Sequence, residues 1–167
     1  QLIRLFSLQE KAKKHRHVAV EPRKIERVAV VGAGVMGSGI TYWTSTRGFP
    51  VLMKDVMPEA IAKGMNGIRK LYREAVTRRV MTQTEAARGL DRIHVSAEPI
   101  PMERFDLVIE AAVEELSIKK NIFADLSSRV SPEALLATNT SALPVYELAE
   151  AIGHPERLLG LHFFSPA

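Results

Sequence analysis

Residues 28–39 read Val28-Ala29-Val30-Val31-Gly32-Ala33-Gly34-Val35-Met36-Gly37-Ser38-Gly39. An apolar, β-branched run enters a glycine loop, and a helix-like pattern follows. Val28, Val30 and Val31 suit a buried parallel strand. Gly32 permits the tight turn out of that strand. Gly34 lets the backbone approach a pyrophosphate, and Gly37 lets the following helix pack closely against the strand. A helix start at this point offers free N–H groups and a partial positive charge to phosphates. Val35 and Met36, between Gly34 and Gly37, are expected to bind the cofactor with them. A helix is expected from about Met36 to Arg47, ended by Gly48, with a second strand from about Pro50 to Lys54. That strand delivers Asp55, eighteen residues after Gly37. A carboxylate at about that distance is placed to accept hydrogen bonds from an adenosine ribose. The pattern predicts a dinucleotide pocket. Because Asp55 would repel a 2′-phosphate, it favours NAD over NADP. Lys54 is its only cationic neighbour, since Val56, Met57 and Pro58 come next.

The length of 167 residues is enough for one domain that buries roughly two-thirds of its unfolded surface. No apolar run reaches the roughly 20 residues of a membrane span. Cysteine is absent, which excludes disulfides, thiol catalysis and zinc–thiolate sites, and no metal is expected. The expected compartment is the cytoplasm for a bacterial source, or an organelle matrix otherwise. Gln1 is not a natural start, so further residues are expected upstream. The net charge of +4 is unevenly spread. Residues 1–27 hold eight Lys and Arg against three Glu, whereas residues 28–167 hold fifteen against sixteen acids. The surplus therefore belongs to the N-terminal segment, and no basic face with interleaved aromatics suggests nucleic acid.

Residues 2–17 read as an amphipathic helix with a Leu2, Leu5, Phe6, Leu8 stripe, and residues 18–26 as an extended connector. The body begins at Arg27. Pro58 opens a long helix to about Val80. Thr82-Gln83-Thr84-Glu85 has capping-box spacing and starts a short helix to Gly89. Further strands are expected at Ile93–Val95, Phe105–Ala111, Leu135–Thr138 and Leu158–Phe164. Helices are expected at Leu116–Val130 and Val145–Ile152. This alternation predicts an α/β fold of Rossmann type: a doubly wound, mostly parallel sheet with helices on both faces. Residues Glu110 to Glu114, Asn139 to Ser141 and His162 follow strand ends, so they converge on the edge that carries the glycine loop. Among five histidines, His162 alone lies at the carboxyl edge of a sheet strand, which makes it the catalytic candidate. His94 and His154 have no visible partner.

Four motifs, in order and spacing, resemble the L-3-hydroxyacyl-CoA dehydrogenase family. They are Gly32-Ala33-Gly34-Val35-Met36-Gly37, Ile109-Glu110-Ala111-Ala112-Val113-Glu114, Asn139-Thr140-Ser141 and His162-Phe163-Phe164-Ser165-Pro166. The resemblance covers about residues 27–167. The segment Leu5-Phe6-Ser7-Leu8-Gln9-Glu10-Lys11-Ala12-Lys13-Lys14 is similar to the linker helix of multifunctional fatty-acid β-oxidation proteins. In those proteins an enoyl-CoA hydratase domain precedes the dehydrogenase.

The resemblance implies NAD-dependent oxidation of a 3-hydroxyacyl-CoA to a 3-ketoacyl-CoA. His162 would be the general base, and Ser141 would contact the reacting oxygen and the cofactor. Glu114 and Lys119 match positions near the nicotinamide half of NAD; by composition alone they could equally be a solvated helix start. Arg78 matches a position that holds coenzyme A. It lies on a helix with Lys63, Arg69, Lys70, Arg73 and Arg79, a pattern that a solvated face also explains. Ser165 stands where many relatives carry Asn. The family's orienting glutamate and its helical C-terminal domain, which supports dimerisation, would lie beyond Ala167. The resemblance therefore implies that residues 27–167 alone bind NAD but turn over poorly. Two other readings fit the glycine loop: a non-enzymatic NAD-binding or redox-sensing module, and a dehydrogenase of small β-hydroxy acids.

Overall fold

The computed structural model describes residue 21 and residues 23–164. The predicted linker helix and Ser165 lie outside the described residues. Six strands form one sheet: β1 (Val28–Val31), β2 (Val51–Lys54), β3 (Ile93–Ser96), β4 (Leu107–Glu110), β5 (Leu135–Thr138) and β6 (Leu158–Gly160). Their order is β3-β2-β1-β4-β5-β6, and every pairing is parallel. This is the strand order of a dinucleotide-binding doubly wound sheet, which reverses direction between β1 and β4. The predicted Rossmann-type fold is what forms.

Successive residues of the central strands serve opposite faces, as the two-residue period of a strand requires. Ala29, Leu52, Val108 and Leu136 pack with Phe123, Leu126 and Leu148 on one face. Val28, Val30, Val51, Ile109 and Ala137 pack with Ile40 on the other. The first face is covered by α4 (Leu116–Arg129) and α5 (Val145–Ala149). The second is covered by α1 (Val35–Thr46). A third cluster joins Ala33, Met53, Ile61, Ile68, Tyr72 and Ala86, so that α2 (Pro58–Thr77) and α3 (Gln83–Asp91) extend the core beyond β2.

The predicted capping box of α3 forms in full: the Glu85 N–H donates to the Thr82 hydroxyl, and the Glu85 carboxylate accepts from the Thr82 N–H. Several boundaries move. Helix α2 stops at Thr77, because Arg79 turns left-handed at φ 57° and breaks the helical path. Strand β4 begins at Leu107, since the Phe105 N–H still closes a turn on the Met102 carbonyl and the Asp106 carboxylate is taken up by the Glu26 and Arg27 N–H groups. Helix α5 ends at Ala149, and a tight turn carries the chain to Ile152. The last strand ends at Gly160, so His162 stands beyond it. One more bond follows, from the Leu161 N–H to the Thr138 carbonyl. After it, the Phe163 N–H turns to the Asn139 side chain instead of a strand. No helix among the described residues is long and apolar enough to cross a membrane.

Candidate active site

The glycine loop is built by contact. Gly32 has φ 109°, and a Cβ there would lie 2.5 Å from the Ala111 carbonyl oxygen. A Cβ on Gly37 would lie 1.9 Å from the Gly32 carbonyl oxygen, so only glycine lets α1 start this close to β1. Gly34 differs: it is exposed, and a Cβ there would meet nothing within 4 Å. Packing does not explain its glycine, whereas a ligand drawn against the backbone does. Gly34 is also the N-cap of α1 and supplies no side-chain cap, and no acid lies in the first turn. The uncapped N–H groups beside Val35 and Met36 fit a pyrophosphate. Asp55 closes the loop from β2, where one carboxylate oxygen accepts from the Ala33 N–H at 2.8 Å and the other from the Met57 N–H at 3.0 Å. Its remaining lone pairs suit ribose hydroxyls.

The second half of the edge is organised by a charge cluster built around a buried lysine. The Lys119 ammonium donates to Glu110 at 2.6 Å and lies 3.3 Å from Glu114. Lys119 is 1% exposed and Glu110 is fully buried, which rules out the solvated-helix-start reading of Lys119. Glu110 is the last residue of β4. It also accepts from the Ala112 N–H at 2.7 Å and the Thr138 hydroxyl at 2.8 Å. Glu114 accepts from the Thr140 hydroxyl and from the Ser141 N–H at 3.0 Å. Burial is the largest single influence on Glu114 and pushes its carboxyl up. Donation from Thr140, Ser141 and Lys119 outweighs burial and holds it below the ordinary glutamate value.

The loop after β5 carries Ser141, which is exposed, and whose hydroxyl makes no hydrogen bond among the described residues. His162 is exposed as well. Its Nδ1 lies 3.2 Å from the Asn139 carbonyl oxygen. A carbonyl only accepts, so this contact puts the proton on Nδ1 and leaves the Nε2 lone pair free to take another. Gly32, Gly34, Gly37, Asp55, Glu114, Lys119, Ser141 and His162 thus all stand at the carboxyl edge of one sheet.

Arg78 is not brought there. It caps the far end of α2, about 30 Å along the helix from the Asp55 end. Lys63, Arg69, Lys70, Arg73 and Arg79 are exposed with it. His154 has a partner that the sequence did not reveal, Glu156 at 3.2 Å. Sequence reasoning placed Glu110 and Asn139 at this edge without giving either a specific role. The signal for Glu110 was an acid closing the apolar run Leu107-Val108-Ile109, which needs a buried partner. No group of His, Asp and Glu among the described residues could hold a metal ion.

The family model described as 3-hydroxyacyl-CoA dehydrogenase, NAD binding domain, matches residues 27–167. This chain belongs to that family. NAD is its cofactor, as the exposed Gly34 and the Asp55 carboxylate suggest. A fatty acid oxidation complex subunit alpha from Pseudomonas putida is 37% identical over 169 aligned positions, which cover 99% of this chain and 23% of that protein. The chain therefore spans about a quarter of the length of such relatives. Among solved structures, 3-hydroxybutyryl-CoA dehydrogenase from Escherichia coli K12 superposes with a TM-score of 0.84 at 39% identity, covering 87% of this chain and 31% of that one. The (S)-3-hydroxybutyryl-CoA dehydrogenase PaaH1 from Ralstonia eutropha gives 0.83 at 31% identity, covering 86% and 50%.

Proposed function

We propose that this domain serves the NAD-dependent oxidation of a 3-hydroxyacyl-CoA to a 3-ketoacyl-CoA. The observation that carries the reading is that His162 and Ser141 both stand at the edge that bears the glycine loop, the one with Nε2 and the other with its hydroxyl without a partner among the described residues. Bound NAD would supply the acceptor for the hydride that leaves C3. His162 takes the hydroxyl proton on Nε2 while Nδ1–H stays on the Asn139 carbonyl. Ser141 donates to the oxygen as it becomes a carbonyl. Acid–base assistance of this kind contributes about 10²–10⁴-fold. Gly32, Gly34, Val35, Met36 and Gly37 hold the pyrophosphate, and Asp55 holds the adenosine ribose. Glu114, Lys119 and Ser141 border the nicotinamide half. This division follows from the topology, because β1 and β2 bind one mononucleotide and the β4–β6 side the other.

Arg78 is assigned to a phosphate of coenzyme A. Residues 1–26 are assigned to a linker and 27–167 to the cofactor domain, in line with the start of the family match. The name of the Pseudomonas putida relative, and its alignment with nearly all of this chain, support a place in a larger β-oxidation subunit in the cytoplasm. Its neighbours there would be an upstream hydratase domain and a helical C-terminal domain that supports dimerisation.

The test is an assay of the full-length protein with NADH and two oxidants, acetoacetyl-CoA and free acetoacetate. Turnover of the thioester alone is expected. Equal use of acetoacetate would favour a small β-hydroxy acid as substrate, and no turnover of either would favour a binding module.

A further inference from the structure

We propose that Thr140 is the positioning residue for Ser141, and that its hydroxyl holds the loop after β5 in the shape that presents the serine to the reacting oxygen. The inference rests on the reading of Ser141 as the group that contacts that oxygen. The loop leaves β5 at Thr138, and residues 140–143 donate to no main-chain carbonyl among the described residues. Their N–H groups all go to side-chain oxygens instead. The Thr140 N–H donates to the Thr138 hydroxyl at 3.3 Å and the Ser141 N–H to Glu114 at 3.0 Å. The Ala142 and Leu143 N–H groups donate to the Thr140 hydroxyl at 3.3 and 2.9 Å. That hydroxyl gives its own proton to the same Glu114 oxygen that receives the Ser141 N–H. A hydroxyl has one proton to donate and two lone pairs to accept with, and here all three are used.

Glu114 anchors the loop from outside. It lies 26 positions from Thr140, in the segment that follows β4. Its other oxygen is 3.3 Å from the Lys119 ammonium, and Lys119 is held at 2.6 Å by Glu110. Glu110 then accepts from the hydroxyl of Thr138, the last residue of β5, at 2.8 Å. The contacts thus close on themselves across β4, α4 and β5. Thr138 is fully buried and Thr140 nearly so, whereas Ser141 is exposed. A polar network with every member satisfied is rigid, and this one carries a single exposed serine whose hydroxyl stays unbonded among the described residues. A donor fixed in place beforehand needs no reorganisation as charge shifts on the substrate oxygen. A threonine that only shaped its own turn would need no more than the Ala142 and Leu143 bonds. The third bond, to Glu114, ties that turn to the segment that borders the nicotinamide half, so the serine and the cofactor side share one anchor.

In the full-length protein, Thr140→Val keeps the shape of the side chain and removes the hydroxyl, which strands the Ala142 and Leu143 N–H groups. It should lower kcat for acetoacetyl-CoA reduction about 10- to 100-fold, the scale of a misplaced catalytic group. Thr140→Ser keeps the hydroxyl and should bring kcat back to within about threefold of wild type. A double-mutant cycle separates positioning from a general loss of structure. If Thr140 acts through Ser141, adding Thr140→Val to Ser141→Ala should lower kcat by no more than about twofold further. Losses that multiply, an inactive Thr140→Ser, or a Thr140→Val protein with wild-type kcat would overturn the proposal. Where Thr140→Val does not fold, Thr140→Ala, which puts no γ-methyl against Glu114, carries the same expectation. Hydrogen exchange of the wild-type protein reads the loop directly. The Ser141, Ala142 and Leu143 amides should exchange at least about tenfold more slowly than in an unstructured chain, and unprotected amides there would also refute the positioning role. A Ser141→Ala protein with wild-type kcat would instead refute the reading of Ser141 on which the proposal rests.

Discussion

The ammonium of Lys119 lies 2.6 Å from the Glu110 carboxylate, and both side chains are shut away from solvent. A buried ion pair contributes little net stability compared with apolar side chains, but breaking one leaves a stranded charge. Lys119→Met should therefore destabilise the domain by about 3–5 kcal/mol. The double variant Glu110→Leu, Lys119→Met should recover much of that loss. Urea unfolding of the three proteins checks this. Equal losses in the single and the double variant would mean that the pair is not the source of the cost.

The three loop glycines should separate stability from binding. Gly37→Ala places a Cβ against the Gly32 carbonyl and should cost at least the 1–3 kcal/mol of an overpacked site. Gly34→Ala meets only open space, so its melting temperature should match the wild type, while NAD affinity falls about tenfold or more. Thermal melts with and without NAD read both effects. A Gly34→Ala protein with wild-type NAD affinity would remove the pyrophosphate from this loop.

Acid should loosen the domain at two identified carboxylates. Glu114 is held below its ordinary value of 4.5: burial pushes it up, but Thr140, Ser141 and Lys119 together pull it further down. Asp106 is held below 3.8, first by the Glu26 N–H and then by the Arg27 N–H, which it accepts at 2.8 and 2.9 Å. A folded-state value below the unfolded one means that the contribution is complete above the ordinary value. It is lost as pH falls through the lower, folded one. Stability should thus be level with respect to these groups above pH 4.5 and decline below it. Asp106→Asn should be less stable at neutral pH and show a smaller acid decline.

Arg78 sits at the far end of α2 from Asp55, so its effect should be confined to binding. In the full-length protein, Arg78→Ala should raise KM for acetoacetyl-CoA about fivefold to tenfold, as expected for one lost charge-assisted hydrogen bond, and leave kcat alone. Steady-state kinetics decide, and an unchanged KM would return Arg78 to an ordinary solvated helix end.

The parts of this fold legible in the sequence were those with local causes. The valine run, the three glycines and Asp55 announced β1, the loop and β2, because each residue type answers a nearby steric or electrostatic demand. The Thr82 capping box was readable for the same reason. Long-range causes stayed hidden. Strand β6 was drawn through His162 because Leu161, Phe163 and Phe164 look strand-like. The strand instead ends at Gly160, and the Phe163 N–H goes to the side chain of Asn139, more than twenty residues away. By composition alone Lys119 could equally have been part of a solvated helix start, and only its ion pairs with Glu110 and Glu114 decide against that. Arg79 gave no hint of its left-handed backbone, which ends α2 short of Val80.

The most direct test of the account is His162→Ala in the full-length protein, with turnover of acetoacetyl-CoA by NADH measured beside the calorimetric affinity for NAD. Loss of a general acid–base should lower kcat about 10²–10⁴-fold. NAD affinity should stay close to wild type, because the glycine loop and Asp55 are untouched. A His162→Ala protein that turns over within a few-fold of wild type would contradict the assignment of His162 and, with it, the mechanism proposed for this edge of the sheet.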